Sequence, residues 1–192
     1  MIVRGRCLGS MVLTALLAGC AAKPMPPLPL RGPASDAAPV RPMDVLPEME
    51  QARSAVRSIL VDKSDRVLVL FEGAQPIRIY RDLQFGDAPS GHKQFQGDER
   101  TPEGRYRIDA RNPRSAYHLS LRISYPNAQD RAFANAQGRS PGGDIFLHGQ
   151  PNGLAGERIE GDWTDGCIAL SNREIAELWH LVPDGTLIEI RP

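Results

Sequence analysis

The stretch G-D-W-T-D-G-C-I-A-L-S-N, Gly161 to Asn172, is the most informative part of this 192-residue chain. It contains Cys167, one of three cysteines, while Cys7 and Cys20 lie close to the N-terminus. One thiol in a folded domain, with a histidine elsewhere in the domain, is the pattern of a nucleophile and its base. We expect that histidine to be His148, at the end of the apolar run I-F-L-H.

A thiol is only partly ionised at neutral pH, and a neighbouring imidazole activates it by accepting its proton. Gly166 keeps side-chain bulk away from the sulfur, and the backbone N–H groups of Gly166 and Cys167 are predicted to form an oxyanion hole. The alternatives are a buried structural cysteine and a hydrogen-bonded core histidine. The position of His148 at a strand end favours catalysis, because the pair must meet in space.

The segments H-G at His148–Gly149 and T-D-G-C at Thr164–Cys167 resemble the catalytic core of the L,D-transpeptidase family, the YkuD domain. G-D-E-R-T-P-E-G-R-Y, Gly97 to Tyr106, resembles the family's turn between core strands, and S-P-G-G-D-I-F-L-H-G, Ser140 to Gly149, resembles the lead-in to its base. The resemblance runs from about Arg66 to the C-terminus. It implies a β-sandwich-like fold, and it implies that the backbone carbonyl of Gly149 orients the imidazole.

Two residues depart from the family pattern. Asp165 stands where histidine is usual, and Ala169 replaces the usual Asn or Arg. The variant W-T-D-G-C-I-A-L resembles a family branch that includes enzymes cutting bonds at diaminopimelate. Asp165 either assists catalysis by orienting a neighbour or accepts a turn hydrogen bond. Thr164 contacts substrate or stabilises the turn, and Trp163 packs or forms a groove wall.

The resemblance implies that Cys167 attacks the carbonyl of an L-centre in a peptidoglycan stem peptide, such as diaminopimelate, and expels D-Ala. The thioester then passes to an amine, which gives a 3→3 cross-link or attaches a protein. With water as acceptor, the same residues would make an L,D-amidase or carboxypeptidase, one that includes release of a wall-attached lipoprotein. A third hypothesis is a wall-binding lipoprotein that has lost its activity.

The N-terminus has the features of an export signal. Arg4 and Arg6 precede an apolar run, Met11 to Leu17, that is too short to span a bilayer. L-A-G-C, Leu17 to Cys20, resembles a bacterial lipobox, in which Cys20 is lipidated. The alternative is an ordinary cleaved signal peptide with a chance cysteine. We therefore predict a lipoprotein signal at residues 1–19 and a lipid-anchored protein of the periplasm, on the outer membrane of a Gram-negative bacterium.

Residues 20–47 are rich in proline and are predicted to form an extended, disordered tether before a catalytic domain at 48–192. The formal net charge is zero, which disfavours nucleic-acid binding. Neither metal-ligand spacing nor a nucleotide-binding glycine pattern is present, so no metal or cofactor is expected. The expected partners are peptidoglycan stem peptides and the membrane, and the protein is expected to be a monomer.

Residue periodicity predicts a mainly β domain with a few helices. Thr101 and Pro102 are expected to form a turn, and His92 and His180 are expected to be structural or exposed. His118 is expected to lie at the surface, and the alternative is a position near the substrate. Either Ser171 or Asn172 is expected to cap the last helix. The predicted strands are Arg66–Phe71 and Pro76–Arg81 (a hairpin), Arg105–Ala110, Tyr117–Tyr125, Asp144–His148 and Thr186–Ile190, and the predicted helices are Glu48–Leu60, Asn127–Ala136 and Asn172–Leu181.

Overall fold

The computed structural model describes residues 55–192. The predicted signal, the lipidation site Cys20, the tether and the start of the Glu48–Leu60 helix lie outside these residues. Within residues 55–192, no helix combines the length and the apolar character needed to cross a membrane. The described elements are β1 (Ser58–Asp62), β2 (Val67–Glu72), β3 (Gln75–Tyr80), β4 (Gly104–Ser115), β5 (His118–Ile123), α1 (Ala128–Ala136), β6 (Phe146–His148), β7 (Ile168–Ala169), α2 (Asn172–Leu181) and β8 (Leu187–Arg191).

The strands of residues 55–192 follow one hydrogen-bonded order, β3-β2-β1-β8-β4-β5-β6-β7. The long strand β4 joins the two halves of this order: Gly104–Arg107 pairs with β8, and Ile108–Ser115 pairs with β5. Register shifts after Ile108 and Asn112 mark bulges, which increase twist and let a strand bend. Buried apolar side chains from both halves pack together in one core. The predicted mainly β class with a few helices is confirmed.

The predicted hairpin is confirmed as β2 and β3, with Leu68 opposite Tyr80 and Glu72 opposite Gln75. Its turn contains Gly73, whose φ of 60° is in the left-handed region that glycine adopts readily. Leu68 and Leu70 are fully buried and face the core. The alternating apolar pattern that predicted this strand therefore arises because one face of the strand is buried.

The predicted helix Glu48–Leu60 is wrong at its C-terminal end, because Ser58–Leu60 belongs to β1. Ile59 and Val61 are almost fully buried, and they alternate with less buried neighbours. β1 pairs antiparallel with β2 and parallel with β8, so it lies inside the sheet. The apolar residues fit helical spacing by coincidence, and tertiary pairing overrides that local pattern.

Both predicted helices after residue 126 are confirmed, and their caps explain where they begin. The side chain of Asn127 accepts backbone N–H bonds at the start of α1. Ser171 caps α2 in a capping box with Glu174. Asn172 has another role, since its Oδ1 accepts the N–H of Gln150 at 2.8 Å. The two-residue strand β7 was not predicted, because it is too short to show a period.

Candidate active site

β6 and β7 bring His148 and Cys167 to one face of the sheet. The two strands run parallel, with Leu147 opposite Ile168 and His148 opposite Ala169. Leu147 and Ile168 are fully buried and point into the core. Because successive side chains of a strand point to opposite faces, His148 and Cys167 both point away from the core. Two unrelated stretches of sequence thereby place a thiol beside an imidazole.

The protonation state of His148 follows from its surroundings. The imidazole is only 4 % exposed, and its Nδ1 lies 2.7 Å from the carbonyl oxygen of Gly149. A carbonyl only accepts, so Nδ1 carries the proton and Nε2 is the ring nitrogen with a lone pair. Burial lowers the pKa of His148 below its ordinary value of 6.5, although the Gly149 carbonyl opposes that shift. The imidazole is therefore neutral at pH 7 and is in the form that accepts a proton.

Two aromatic side chains hold the imidazole in place. Tyr117 packs on the His148 ring at 4.8 Å between centroids, and Trp163 meets the same ring edge-on at 5.5 Å. Tyr117 and Trp163 also contact each other at 5.6 Å. Such tilted and edge-on pairs are favourable geometries for aromatic rings. Trp163 therefore packs on the imidazole and also lines a cavity at Cys167, so the structure does not choose between the packing and groove-wall roles that the sequence left open.

The thiol of Cys167 is half-buried, and its sulfur lies 3.5 Å from the backbone carbonyl of Asp144. Burial raises the pKa of Cys167 to about 11, and the negative charges of Asp165 and Asp144 add to this rise. The Phe146 N–H and the Lys93 ammonium act in the opposite direction but are outweighed. At neutral pH the thiol is protonated, so its proton must leave during attack on a substrate.

The loop before Cys167 accepts only glycine at position 166. Gly166 has a φ of 115°, and a Cβ there would lie 2.4 Å from the backbone oxygen of Arg100. The hydroxyl of Thr164 donates to the Cys167 carbonyl at 2.8 Å and accepts the Gly166 N–H at 3.2 Å. The buried Thr101 hydroxyl donates to the Gly166 carbonyl at 3.0 Å. Thr164 therefore stabilises the turn, and the Gly166 N–H must leave this hydroxyl to bind an oxyanion.

Gly149 is required by close packing. A Cβ at this position would lie 2.5 Å from Oδ1 of Asn172 and 3.0 Å from both Cβ of His118 and Cγ2 of Ile175. The Gly149 N–H donates to the Tyr117 carbonyl at 3.0 Å. The segment after the base is therefore tied both to the start of α2 and to the residue that packs on the imidazole.

An ion pair fastens the same loop to the sheet. The two terminal guanidinium nitrogens of Arg66 each lie 2.7 Å from an oxygen of the Asp162 carboxylate, which also accepts the Phe85 N–H at 2.9 Å. Hydrogen bonding to Arg66 holds the pKa of Asp162 below its usual value, against the effect of burial. The backbone N–H groups of Trp163 and Thr164 both donate to the Phe85 carbonyl. These bonds hold the residues just before Cys167 against the segment that follows β3.

A buried pair of amides supports the other side of the loop. The Nε2 of Gln150 donates to Oε1 of Gln84 at 3.0 Å and to the Leu170 carbonyl at 2.8 Å. Gln84 donates in turn to the carbonyls of Ile159 and Gly161. Because buried amides are costly when left unpaired, this network specifies one arrangement of the segment before Trp163.

Two cavities meet at the thiol and the imidazole. The larger has a volume of about 710 Å³ and the smaller about 270 Å³, and both are lined by Tyr117, Asp144, His148 and Cys167. Asp165 lines only the larger cavity. That cavity also contains Lys93, which is buried and lies 2.8 Å from Asp98.

The structure brings together most of the residues predicted for the site. The larger cavity is lined by His148, Trp163, Thr164, Asp165 and Cys167, with Gly149 and Gly166 supporting it in the backbone. Their chemical roles stay predictions. Among residues 55–192, no group of three or more His, Cys, Asp or Glu side chains is arranged to hold a metal ion.

The remaining residues considered from sequence lie apart from this pair. His118 and His180 are exposed, and neither lines the two cavities. Nε2 of His92 lies 3.1 Å from a carboxylate oxygen of Asp130, within hydrogen-bond distance. Thr101 is buried and contacts the Gly166 backbone.

Several residues that line or support the site were not predicted from sequence. They are Tyr117 and Lys93, which line the larger cavity, and Asp162, Gln84 and Gln150, which hold the loop before Cys167. Asp162 lies within the quoted motif, yet its partner Arg66 is 96 residues earlier, so no local spacing indicates the ion pair. The one local signal for Asp162 was its position directly before Trp163, a predicted groove-wall residue.

The comparisons with known proteins give the family. The family model described as the L,D-transpeptidase catalytic domain, YkuD, matches residues 56–190. "Putative L,D-transpeptidase YafK" of Escherichia coli K12 is 29 % identical over 140 residues, which cover 70 % of this chain and 50 % of that protein. The chain thus spans about half the length of the curated relatives it matches.

Two solved structures share the fold. A point variant of the helical cell shape determining protein Pgp2 from Campylobacter jejuni has a TM-score of 0.57 and 28 % identity, over 71 % of this chain and 47 % of that one. Bd1075 of Bdellovibrio bacteriovorus has a TM-score of 0.52 and 29 % identity, over 72 % and 49 %. With a family match over most of its length, the chain belongs to the YkuD family of L,D-transpeptidase catalytic domains.

Proposed function

We propose that the chain is a cysteine acyltransferase that cuts peptidoglycan stem peptides at an L-centre and passes the acyl group to an amine. The observation that carries this proposal is the placement of Cys167 and His148 on one face, where two cavities meet. The Gly149 carbonyl holds the proton on Nδ1 of the imidazole, so Nε2 is the acceptor for the thiol proton.

In the proposed reaction, the thiol proton moves to His148 as the sulfur attacks the carbonyl carbon of the scissile amide. The tetrahedral intermediate then collapses, the C–N bond breaks, and the imidazolium returns the proton to the leaving amine. A thioester on Cys167 remains. An acceptor amine attacks this thioester, gives its proton to His148 and forms a new amide, and the proton returns to the sulfur.

The two cavities favour transfer over hydrolysis. Transfer needs a donor and an acceptor that both reach the thioester, and the cavities of about 710 Å³ and 270 Å³ share the thiol and the imidazole. Hydrolysis needs only a donor site and a water. The acidic side chains Asp144 and Asp165 line the larger cavity and suit the free ammonium group of a diamino acid.

We also propose that the protein works in the periplasm, anchored by a lipid on Cys20. The support is the L-A-G-C sequence, the short apolar run before it and the proline-rich residues 20–47. Labelling cells with a radioactive fatty acid tests the anchor. Label should enter the chain and be lost in Cys20→Ala, while label retained in that variant would contradict the proposal.

The reaction is tested by mass spectrometry of defined diaminopimelate muropeptides incubated with the full chain. Wild type is compared with Cys167→Ala and His148→Ala, and His118→Ala serves as the control, because this exposed histidine lines neither cavity. We expect cross-linked dimers from wild type and from the control only. Shortened or detached stems without dimers would show that the enzyme hydrolyses its substrate and does not transfer the acyl group. Turnover by Cys167→Ala would contradict both reactions.

A further inference from the structure

A separate cavity of about 730 Å³ lies behind one wall of the candidate active site. It is lined by polar side chains and one aromatic ring, among them His92, Gln94, Glu103, Gln129, Asp130 and Phe133. We propose that this cavity binds the N-acetylated sugar to which the stem peptide is joined. This inference rests on the proposed function for the choice of sugar.

The polar floor of the cavity is rigid. Nε2 of His92 lies 3.1 Å from Asp130, and its Nδ1 accepts the Glu103 N–H at 2.9 Å. The other carboxylate oxygen of Asp130 accepts the Tyr106 hydroxyl at 3.0 Å and the Asn127 N–H at 2.8 Å. A floor whose side chains are already ordered binds a ligand with little further loss of entropy.

Each ionised side chain at the cavity has a partner. The Glu103 carboxylate lies 2.7 Å from the buried ammonium of Lys63, and the Arg105 guanidinium lies 3.3 Å from Glu189. The Asp130 carboxylate accepts hydrogen bonds from His92, Tyr106 and Asn127. The side chains that add hydrogen-bonding capacity are the amides of Gln94 and Gln129, which offer both donors and acceptors. Such a surface suits a neutral ligand with hydroxyl and acetamido groups better than a free ion.

Phe133 supplies an apolar platform. Its side chain is 46 % exposed, which is unusual for a large apolar residue, and it lies at the cavity. The neighbouring ring of Phe95 packs at 5.9 Å from it, and the guanidinium of Arg139 covers Phe95 at 3.7 Å. A supported, exposed ring beside amides matches the two faces of a sugar, which carries C–H groups on one side and hydroxyls around its edge.

The position of the cavity fits a substrate made of peptide and sugar. His92 and Gln94 line this cavity, while Lys93 between them lines the cavity that contains Cys167. One short segment therefore separates the two spaces. In the proposed arrangement, the substrate crosses this segment, with its stem peptide at the thiol and its sugar in the second cavity.

The direct test is binding of a peptide-free disaccharide of N-acetylglucosamine and N-acetylmuramic acid to the full chain, measured by calorimetry, with the lactyl carboxyl of the disaccharide capped as an amide so that the probe is neutral. We expect binding to weaken roughly tenfold in Phe133→Ala and in Gln129→Ala. Ile79→Ala is the matched control, because Ile79 is a similarly exposed apolar residue on β3. Absence of binding to wild type, or equal affinity in all variants, would overturn the sugar site whatever the enzyme activity.

Kinetics separate this inference from the proposed function. The same variants are assayed with a free tetrapeptide and with the disaccharide tetrapeptide. We expect Phe133→Ala to raise KM roughly tenfold for the disaccharide substrate only, with kcat unchanged. An equal effect on both substrates would mean that Phe133 is structural, while failure of both substrates with intact disaccharide binding would contradict the proposed function alone.

Discussion

At the residue scale, the site contains a thiol and an imidazole that are both neutral at pH 7. Burial raises the pKa of Cys167 and lowers that of His148, because each charged form is poorly solvated there. The resting pair is therefore uncharged, and in the proposed reaction the proton is transferred as the sulfur attacks. Because a preformed thiolate would be more reactive toward any electrophile, the proposed mechanism confines reaction to a bound and positioned substrate.

The first prediction concerns the reactivity of the thiol. Alkylation of Cys167 by iodoacetamide should be slow at pH 7 and should rise with pH toward a midpoint near 11. Asp165→Asn should lower that midpoint, because the carboxylate charge raises the pKa of the thiol. Glu72→Gln is the control and should leave the midpoint unchanged, because Glu72 lies on β2, near the opposite end of the strand order from β7. A midpoint near or below 7 in wild type would contradict a neutral thiol.

The second prediction concerns the acid side of the activity profile. The pKa of His148 lies below 6.5, so the imidazole remains a base as the pH falls through that value. When turnover is measured against pH, the pH at which it falls to half its maximum on the acid side should lie below 6.5. An acid midpoint above 7 would show that a different group, or a charged imidazole, controls the reaction.

The third prediction tests the glycine before the nucleophile. Gly166→Ala should lower the free energy of unfolding by about 1–3 kcal/mol and should abolish turnover, since the Cβ meets the Arg100 carbonyl. Gly73→Ala is the matched control, because Gly73 also has positive φ but has open space around its Cβ position. Thermal unfolding and turnover are the measurements. Retained turnover in Gly166→Ala would contradict the packing argument.

At the element scale, the loop before Cys167 is held by contacts between segments that are distant in sequence. Asp162 binds Arg66 at the start of β2, and Gln150 binds Gln84 after β3. The short strands β6 and β7 contribute little pairing of their own. The loop is therefore positioned by ion-pair and amide contacts to neighbouring segments, and its geometry should be sensitive to them.

The fourth prediction tests the ion pair. Asp162→Asn should lower the free energy of unfolding by about 1–3 kcal/mol at pH 7, because charge-assisted hydrogen bonds to Arg66 and the Phe85 N–H are lost. The pKa of Asp162 is lowered in the folded state, so its contribution is present above the ordinary value of 3.8 and is lost as the pH falls below it. Denaturant unfolding of both proteins should therefore differ at pH 7 and converge in acid. A difference that grows in acid would contradict this sign.

At the scale of the whole molecule, the sequence predicted elements that have a clear period or a clear cap. The hairpin β2–β3 and helix α2 show alternation or helical spacing together with turn and capping residues. β1 was mistaken for helix, because its identity depends on pairing with β2 and β8, which local sequence does not encode. β7 is too short to have a period.

In the candidate active site, too, features with a local sequence signal were predicted and those that depend on distant segments were not. His148 and Cys167 were predicted from residue type, order and resemblance to the family, and the structure places them together. The supporting contacts of Arg66 with Asp162 and of Tyr117 with His148 were missed. Each of these contacts joins segments that are distant in sequence, so the fold has to be known before they become visible.

The central claim is that Cys167 forms a thioester with the stem peptide after His148 accepts its proton. Intact-protein mass spectrometry after brief mixing with a diaminopimelate tetrapeptide tests it directly. We predict an acyl adduct in wild type and in His118→Ala that maps to Cys167 and is released by hydroxylamine, and no adduct in Cys167→Ala or His148→Ala. Product formation by Cys167→Ala, or an adduct on any other residue, would contradict the account.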